Sequence, residues 1–185
     1  MIIGINGYAG SGKDTVGIII QYLMSRKIDA IAIPIEVICK DPLEYEEFLE
    51  ESSEWEIRKF AGKLKDIASH LTGIDRDLFE DQEFKKETLG VEWWTPCDEG
   101  MQPMTVRDLL QKLGTECMRT GLHTNTWVNA LFADYNPDED GYYPNYVITD
   151  TRFDNEAKAI KDKEGIDRKS TRLNSSHVAL SRMPS

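Results

Sequence analysis

The chain predicts an α/β fold organised on a parallel sheet, and three observations carry that prediction. Two short apolar runs, Ile2–Ile5 and Tyr146–Thr149, read as buried strands. Segments with helical spacing lie between and after them, and strands alternating with helices imply parallel pairing. A glycine-rich loop, Gly7 to Gly12, joins the first strand to the first helix. The 185 residues suit one domain with a real core.

Bulk composition narrows the function class. A formal net charge of −11 excludes a nucleic-acid-coating role, because phosphate backbones need a basic face. No apolar run approaches the ~20 residues of a membrane span, and no basic leader region precedes the first strand. A cytoplasmic protein with no membrane partner is therefore expected. Cys39, Cys97 and Cys117 are odd in number and widely spaced, which fits reduced cysteines better than a zinc site or a disulfide framework.

The elements follow in order. Lys13 to Met24 places Val16, Ile19, Ile20 and Leu23 on one stripe, so it reads as a helix packed on the sheet. Ile28 to Ile38 reads as a second strand, interrupted at Pro34. Asp41 to Glu56 is an acidic segment, read as an insertion or helix with a solvated face. Trp55 to Phe60 is a short strand, and a helix over 63–71 follows with Leu64, Ile67, Ala68 and Leu71 on one face. Asp77 to Leu89 reads as a charged helix, and Gly90 to Pro103 as an irregular loop. Thr105 and Asp108 form a near capping box before a stripe of Val106, Leu109, Leu110, Leu113 and Cys117. Thr126 caps a helix over 127–135 with Trp127, Leu131 and Tyr135 inward. The Tyr146–Thr149 strand ends at Asp150, and a helix restarts over 155–163.

The loop carries the most specific chemistry. Glycines allow positive φ, so successive N–H groups can turn inward on an anion, and the next helix adds its free N-terminal amides. Gly7-x-x-x-x-Gly12-Lys13 fits the Walker phosphate-binding template, with Lys13 as the mobile charge for the β- and γ-phosphates. Gly7, Gly10, Ser11, Gly12, Lys13, Asp14 and Thr15 are the expected nucleotide-binding set. Asp14 stands where the template has a hydroxyl, so Mg²⁺ is expected to be held through waters, by Asp14, with Thr15 placed for the α-phosphate.

Ligands of open parallel sheets sit at the carboxyl ends of the strands. Asp150 lies at such an end and is the second expected holder of Mg²⁺ through water. Arg152, two residues on, has the planar fork to grip a phosphate, with a local Asp–Arg ion pair as the plainer reading. Lys65 and Arg107, each early in a helix, are further cation candidates. His70 and His123 read as surface or packing residues.

The stretch from Asp167 to His177 is basic, polar and without periodicity. It back-translates codon by codon to sequence resembling a common sequencing adapter, and Ser181–Ser185 fits that adapter's downstream segment. Residues 167–185 are therefore expected to be a read-through tail without structure, leaving 1–166 as the authentic domain. Arg168, Lys169, Arg172 and Arg182 against Asp167 give the tail +3, so residues 1–166 carry −14.

The ordered set Gly10–Thr15, Phe60–Lys65, Thr105–Thr115, Trp127–Phe132 and Thr149–Arg152 resembles the phage-type deoxynucleoside monophosphate kinases. The resemblance spans nearly all of Met1 to Gly165. It implies a P-loop three-layer sandwich and transfer of phosphate from ATP, with Mg²⁺, to a deoxynucleoside monophosphate for DNA precursor synthesis. In that reading Lys13, Asp150 and Arg152 are catalytic, and Lys65, Arg107 and Arg152 hold the acceptor phosphate. Partners are small-molecule nucleotides, and a homodimer is compatible with the sequence. The location would be host cytoplasm if the gene is phage-borne. The resemblance also implies two further strands, a lid with arginines and an adenine contact after the Asp150 helix, none of which the sequence supplies. The first strand is thus expected to have an exposed edge, and the chain as written to be a poor kinase. Two other readings stay open. Phosphomevalonate kinase-like proteins share the Gly-Lys-Asp loop and Asp-Thr-Arg turn, and a P-loop module can bind nucleotide without transferring phosphate.

Overall fold

The computed structural model describes residues 1–8, 10–24 and 33–169. Its centre is a four-stranded sheet in the order β2-β5-β1-β6, comprising β1 (Ile2–Asn6), β2 (Trp55–Arg58), β5 (Asn145–Thr151) and β6 (Ile166–Lys169). Every pairing is parallel, with Ile2 opposite Tyr146, Trp55 opposite Asn145 and Ile3 opposite Ile166. Helices cover both faces, as a sheet buried on two sides requires. The fold is the expected α/β sandwich, and the carboxyl ends of β1, β5 and β2 lie side by side.

Alternation along β5 builds two cores. Tyr146 and Ile148 join Ile2, Phe60, Trp127, Leu131 and Ile160, while Val147 joins Ile5 and Trp55 on the opposite face. The first core is closed by α4 (Gly62–Thr72), α6 (Thr126–Phe132) and α7 (Asp154–Asp162). The second is closed by α1 (Lys13–Met24), which packs on β5 and β2. A satellite core of Ala68, Phe79, Leu89, Met104, Val106 and Leu109 holds the segment that leads into α5 (Val106–Gln111).

Helix α1 has the expected span, and Val16 and Ile20 of the expected stripe pack on the sheet core, but the buried face turns away from Leu23. Gly17, Ile18 and Gln21 are buried, whereas Leu23 is exposed. Gly17 decides the rotation, because a Cβ there would lie 2.5 Å from Thr149 Cγ2. The helix therefore seats its smallest residue on β5, and Gln21 Nε2 donates to Trp55 O at 2.7 Å.

Several expectations are corrected. No strand runs up to Ile38; Pro34 precedes α2 (Ile35–Ile38), its fixed φ of −65° suiting a helix entry, and residues 28–32 of that expectation lie outside the described residues. The acidic segment does hold a helix, one of its two expected readings: a 3₁₀ turn at Pro42–Tyr45 leads into α3 (Glu46–Ser52). The charged helix over 77–89 is instead two 3₁₀ turns, Arg76–Phe79 and Phe84–Lys86. Asp75 accepts from Asp77 N at 2.9 Å and Asp81 from Glu83 N at 2.7 Å, and such side-chain bonds compete with α-helical ones. Within the irregular loop, β3 (Thr95–Cys97) and β4 (Gly100–Gln102) form a small antiparallel hairpin turned at Asp98–Glu99, with Gly100 opening β4 at φ 125°.

The Thr105–Asp108 capping box closes in both directions, at 3.1 Å each way. Helix α5 then widens into a π-helical stretch, Lys112–Leu122, on which Cys117 is exposed rather than inward. Leu71 is likewise exposed on α4. Thr126 lies inside α6 and donates to His123 O at 2.6 Å, while Asn125 takes the cap position. Asp150 lies within β5, which continues to Thr151.

The exposed edge expected on β1 does not exist. Ile166–Lys169 pair with Ile3–Asn6, so β1 is interior and one strand follows α7. This strand crosses the boundary expected at 166/167. Gly165 makes the return possible, its absent Cβ falling 2.8 Å from Ile160 O and 2.9 Å from Ile2 Cβ. The free side of β1 offers a row of backbone donors and acceptors, and pairing with them does not depend on side-chain identity. Residues 170–185 of the expected tail lie outside the described residues.

Candidate active site

The loop after β1 is shaped by two glycines with positive φ. Gly10 and Gly12 have φ of 70° and 74°, and a Cβ at either would meet no atom within 4 Å. The space beside both glycines is thus open. Val16 N donates to Gly12 O at 3.0 Å and Ser11 N to Tyr8 O at 3.2 Å, tying the loop to the first turn of α1. Lys13 is 8% exposed, its Nζ donating to Gly7 O at 3.1 Å and Tyr8 O at 2.8 Å. A buried ammonium held, among the described residues, by loop carbonyls can exchange them for phosphate oxygens, which are stronger acceptors.

Asp14 faces across the seam between α1 and β5. Its Oδ1 accepts from Thr149 Oγ1 at 2.7 Å and lies 3.2 Å from Lys59 Nζ. The carboxylate stays half exposed, which suits a water-mediated hold on a cation rather than a direct one. Among the described residues, no three His, Cys, Asp or Glu side chains converge as a metal site.

Asp150 does something the sequence did not announce. Its Oδ1 accepts from Phe60 N and its Oδ2 from Ala61 N, both at 2.8 Å. The carboxylate clamps the turn between β2 and α4 onto β5. Burial pushes its pKa up, the Ala61 and Phe60 amides pull it down, and Glu156 and Arg152 act in opposite directions behind them. Both oxygens are engaged by backbone, so any role toward Mg²⁺ runs through remaining lone pairs and water.

The cation candidates fall into two places. Arg152 is exposed beside Asp150, and among the described residues its guanidinium has no partner. Its backbone N–H donates to Glu156 Oε2 at 2.8 Å, on a buried Glu156 that also pairs with Arg119. Lys65 instead pairs with Glu80, which also accepts from Arg76 at 2.7 Å. Burial alone would raise Glu80, but Lys65, then Arg76 and Lys59, outweigh it and hold the carboxyl at about 2. Burial lowers Lys85, and the charges of Lys65 and Arg107 add to the effect, so these three cations share one neighbourhood. His70 bonds its own helix at Asp66 O, and His123 accepts from Asn125 N, as packing residues do.

A polar cleft of about 710 Å³ is lined by Asp14, Lys59, Lys63, Arg76, Glu80 and Tyr146 among others, and of the expected site residues it takes in Asp14 alone. It begins at the start of α1 and runs over the β2–α4 turn towards the Glu80 cluster. Sequence reading missed Lys59, Thr149, Arg76, Glu80 and Lys85. Only Lys59 carried a usable signal, since it closes a strand at its carboxyl end.

Asp150, Arg152 and Arg107 all lie in a segment with a recognisable family pattern. The deoxynucleotide monophosphate kinase family model matches residues 95–167. No curated protein matches the chain. The matched span is under half of the sequence and excludes the phosphate loop, Lys59 and Lys65. It supports kinase chemistry on deoxynucleotides at the family level. Among the described residues, no helix is long and apolar enough to cross a membrane.

Proposed function

We propose that this domain transfers the γ-phosphoryl group of ATP, with Mg²⁺, to a deoxynucleoside monophosphate. One observation carries the reading. The segment with the kinase family pattern and the Gly7–Gly12 loop are far apart in sequence, and β5 pairs directly with β1, with Thr151, between Asp150 and Arg152, opposite Asn6 just before the loop.

The roles follow from chemistry that needs alignment and charge neutralisation more than a covalent nucleophile. Loop amides and Lys13 bind the β- and γ-phosphates. Asp14, through water and with Asp150 behind it, would hold Mg²⁺, which would supply charge neutralisation. Arg152 meets the transferring phosphoryl. Lys65, with Arg107 near it, takes the acceptor's phosphate, once Lys65 shares its ammonium between Glu80 and the incoming dianion. The absence of a Ser/His or Cys/His constellation is in keeping with this mechanism.

The test is ATP/Mg²⁺ turnover with a panel of deoxynucleoside monophosphates and with phosphomevalonate. Acceptor-dependent ADP release with a deoxynucleotide supports the reading; release only with phosphomevalonate transfers it to the other kinase class. ATP binding with no acceptor able to bind would favour a non-catalytic nucleotide module. We further propose that the residues from Asp167 onward are adapter-encoded, and an independent gene sequence across codon 167 checks the junction.

A further inference from the structure

Lys59 stands out once the site is laid out in space. It ends the turn-side of β2, its Nζ 3.2 Å from Asp14 Oδ1 at the start of α1. It lines the cleft that also holds Arg76 and Glu80. Its charge is felt at Glu80, whose carboxyl it helps to hold down. The ammonium therefore lies between the phosphate loop on one side and the Lys65–Glu80–Arg76 cluster on the other.

The backbone fixes it there. Phe60 N and Ala61 N are both held by Asp150, and Gly62 N donates to Lys59 O at 3.0 Å. The residue is thus anchored to β5 by a buried clamp while its side chain remains a quarter exposed. An ammonium on a flexible stem, rooted in a rigid turn, can move a few ångströms between two anions without moving the chain.

We propose that Lys59 is the cation that bridges the donor and acceptor phosphates in this cleft. With nucleotide absent it rests on Asp14; with both substrates present it exchanges that carboxylate for the oxygens between the two phosphate chains. Charge there is greatest when both substrates are bound, so its contribution is largest for a ligand that spans both subsites. This inference rests on the proposed kinase reading, and it adds a residue outside the matched family segment.

The experiment measures affinity by calorimetry for ATP, for individual deoxynucleoside monophosphates, and for adenosine–deoxynucleoside pentaphosphates that link the two. Lys59→Met should lose about tenfold or more for the linked ligand and under about threefold for ATP or monophosphate alone, the scale of one charged hydrogen bond. Lys59→Arg should stay within about threefold for all, because charge and reach are kept. Equal losses for ATP and the linked ligand would overturn the inference and make Lys59 a donor-loop residue only. No loss for the linked ligand would also overturn it. A wild-type chain that binds the linked ligand no better than ATP overturns the kinase reading itself, and the inference with it. Melting temperatures of both variants exclude misfolding as the cause.

Discussion

Replacing Asp150 with Asn separates two jobs that the position could perform. As a clamp, its carboxylate satisfies two buried amides at 2.8 Å each, one per oxygen. Asn keeps the shape but has one carbonyl oxygen, so its NH₂ must face the Phe60 or Ala61 N–H, donor against donor. A hydrogen bond to a charged group contributes about 1.5–3 kcal/mol, and an unmet buried donor costs about 1–3 kcal/mol. Relief from burying a charge, which pushes Asp150 up in pKa, returns part of this. A net loss of about 2 kcal/mol is expected, and a Tm lower by about 4–8 °C for a domain of this size. Because the clamp roots Lys59, affinity for a ligand linking both phosphates should fall with it. Thermal melting and urea titration of Asp150→Asn, with and without Mg²⁺ and ATP, read both effects. A variant that melts with wild type and loses only Mg²⁺-dependent nucleotide affinity would refute the clamp and leave Asp150 as an ion holder alone.

Two further predictions come from contacts around the same site. Gly17→Ala should destabilise by about 1 kcal/mol although Ala is the better helix former, because its Cβ meets Thr149 Cγ2 and Thr149 cannot rotate without releasing Asp14. Gly17→Ala with Thr149→Ser should recover that loss in a double-mutant cycle, and a Gly17→Ala chain more stable than wild type would show that α1 is free to shift. Glu80 has a folded pKa of about 2 against an ordinary 4.5, so the stability it contributes is complete above pH 4.5 and is lost as pH falls from there towards 2. With its side chain 41% exposed, about 1 kcal/mol remains after solvent screening. Glu80→Gln should therefore show a shallower acid limb in pH-dependent denaturation, and an unchanged limb would remove Glu80 from the cation cluster.

What the sequence determined by itself was whatever is settled within a few residues. The strand–loop–helix over 2–24, the reciprocal Thr105–Asp108 cap and the β5 run were legible because glycine conformations, capping bonds and apolar runs act locally. Lys13 and the loop glycines were legible for the same reason. Asp150 was found as the acidic residue at a strand end, but its grip on the Phe60 and Ala61 amides joins positions 90 and 89 residues apart, and no spacing encodes that. Val16 and Ile20 were placed on the inner face of α1, but Leu23 was misplaced there because apolar periodicity ranks large residues, whereas the contact with β5 was decided by the absence of a side chain at Gly17. The helix expected over 77–89 gave way to Asp75 and Asp81 bonding their own backbone. The edge of β1 was closed by β6 through main-chain pairing that side chains do not advertise. Only the tertiary structure put Lys59 against Asp14 and Glu80 against Lys65 and Arg76, since ion pairs across a cleft depend on where the sheet brings its strand ends. The Gly7–Lys13 loop, the proposed phosphate site, is set by local sequence; the packing of β5 and β2 beside it decides which charged side chains stand near it.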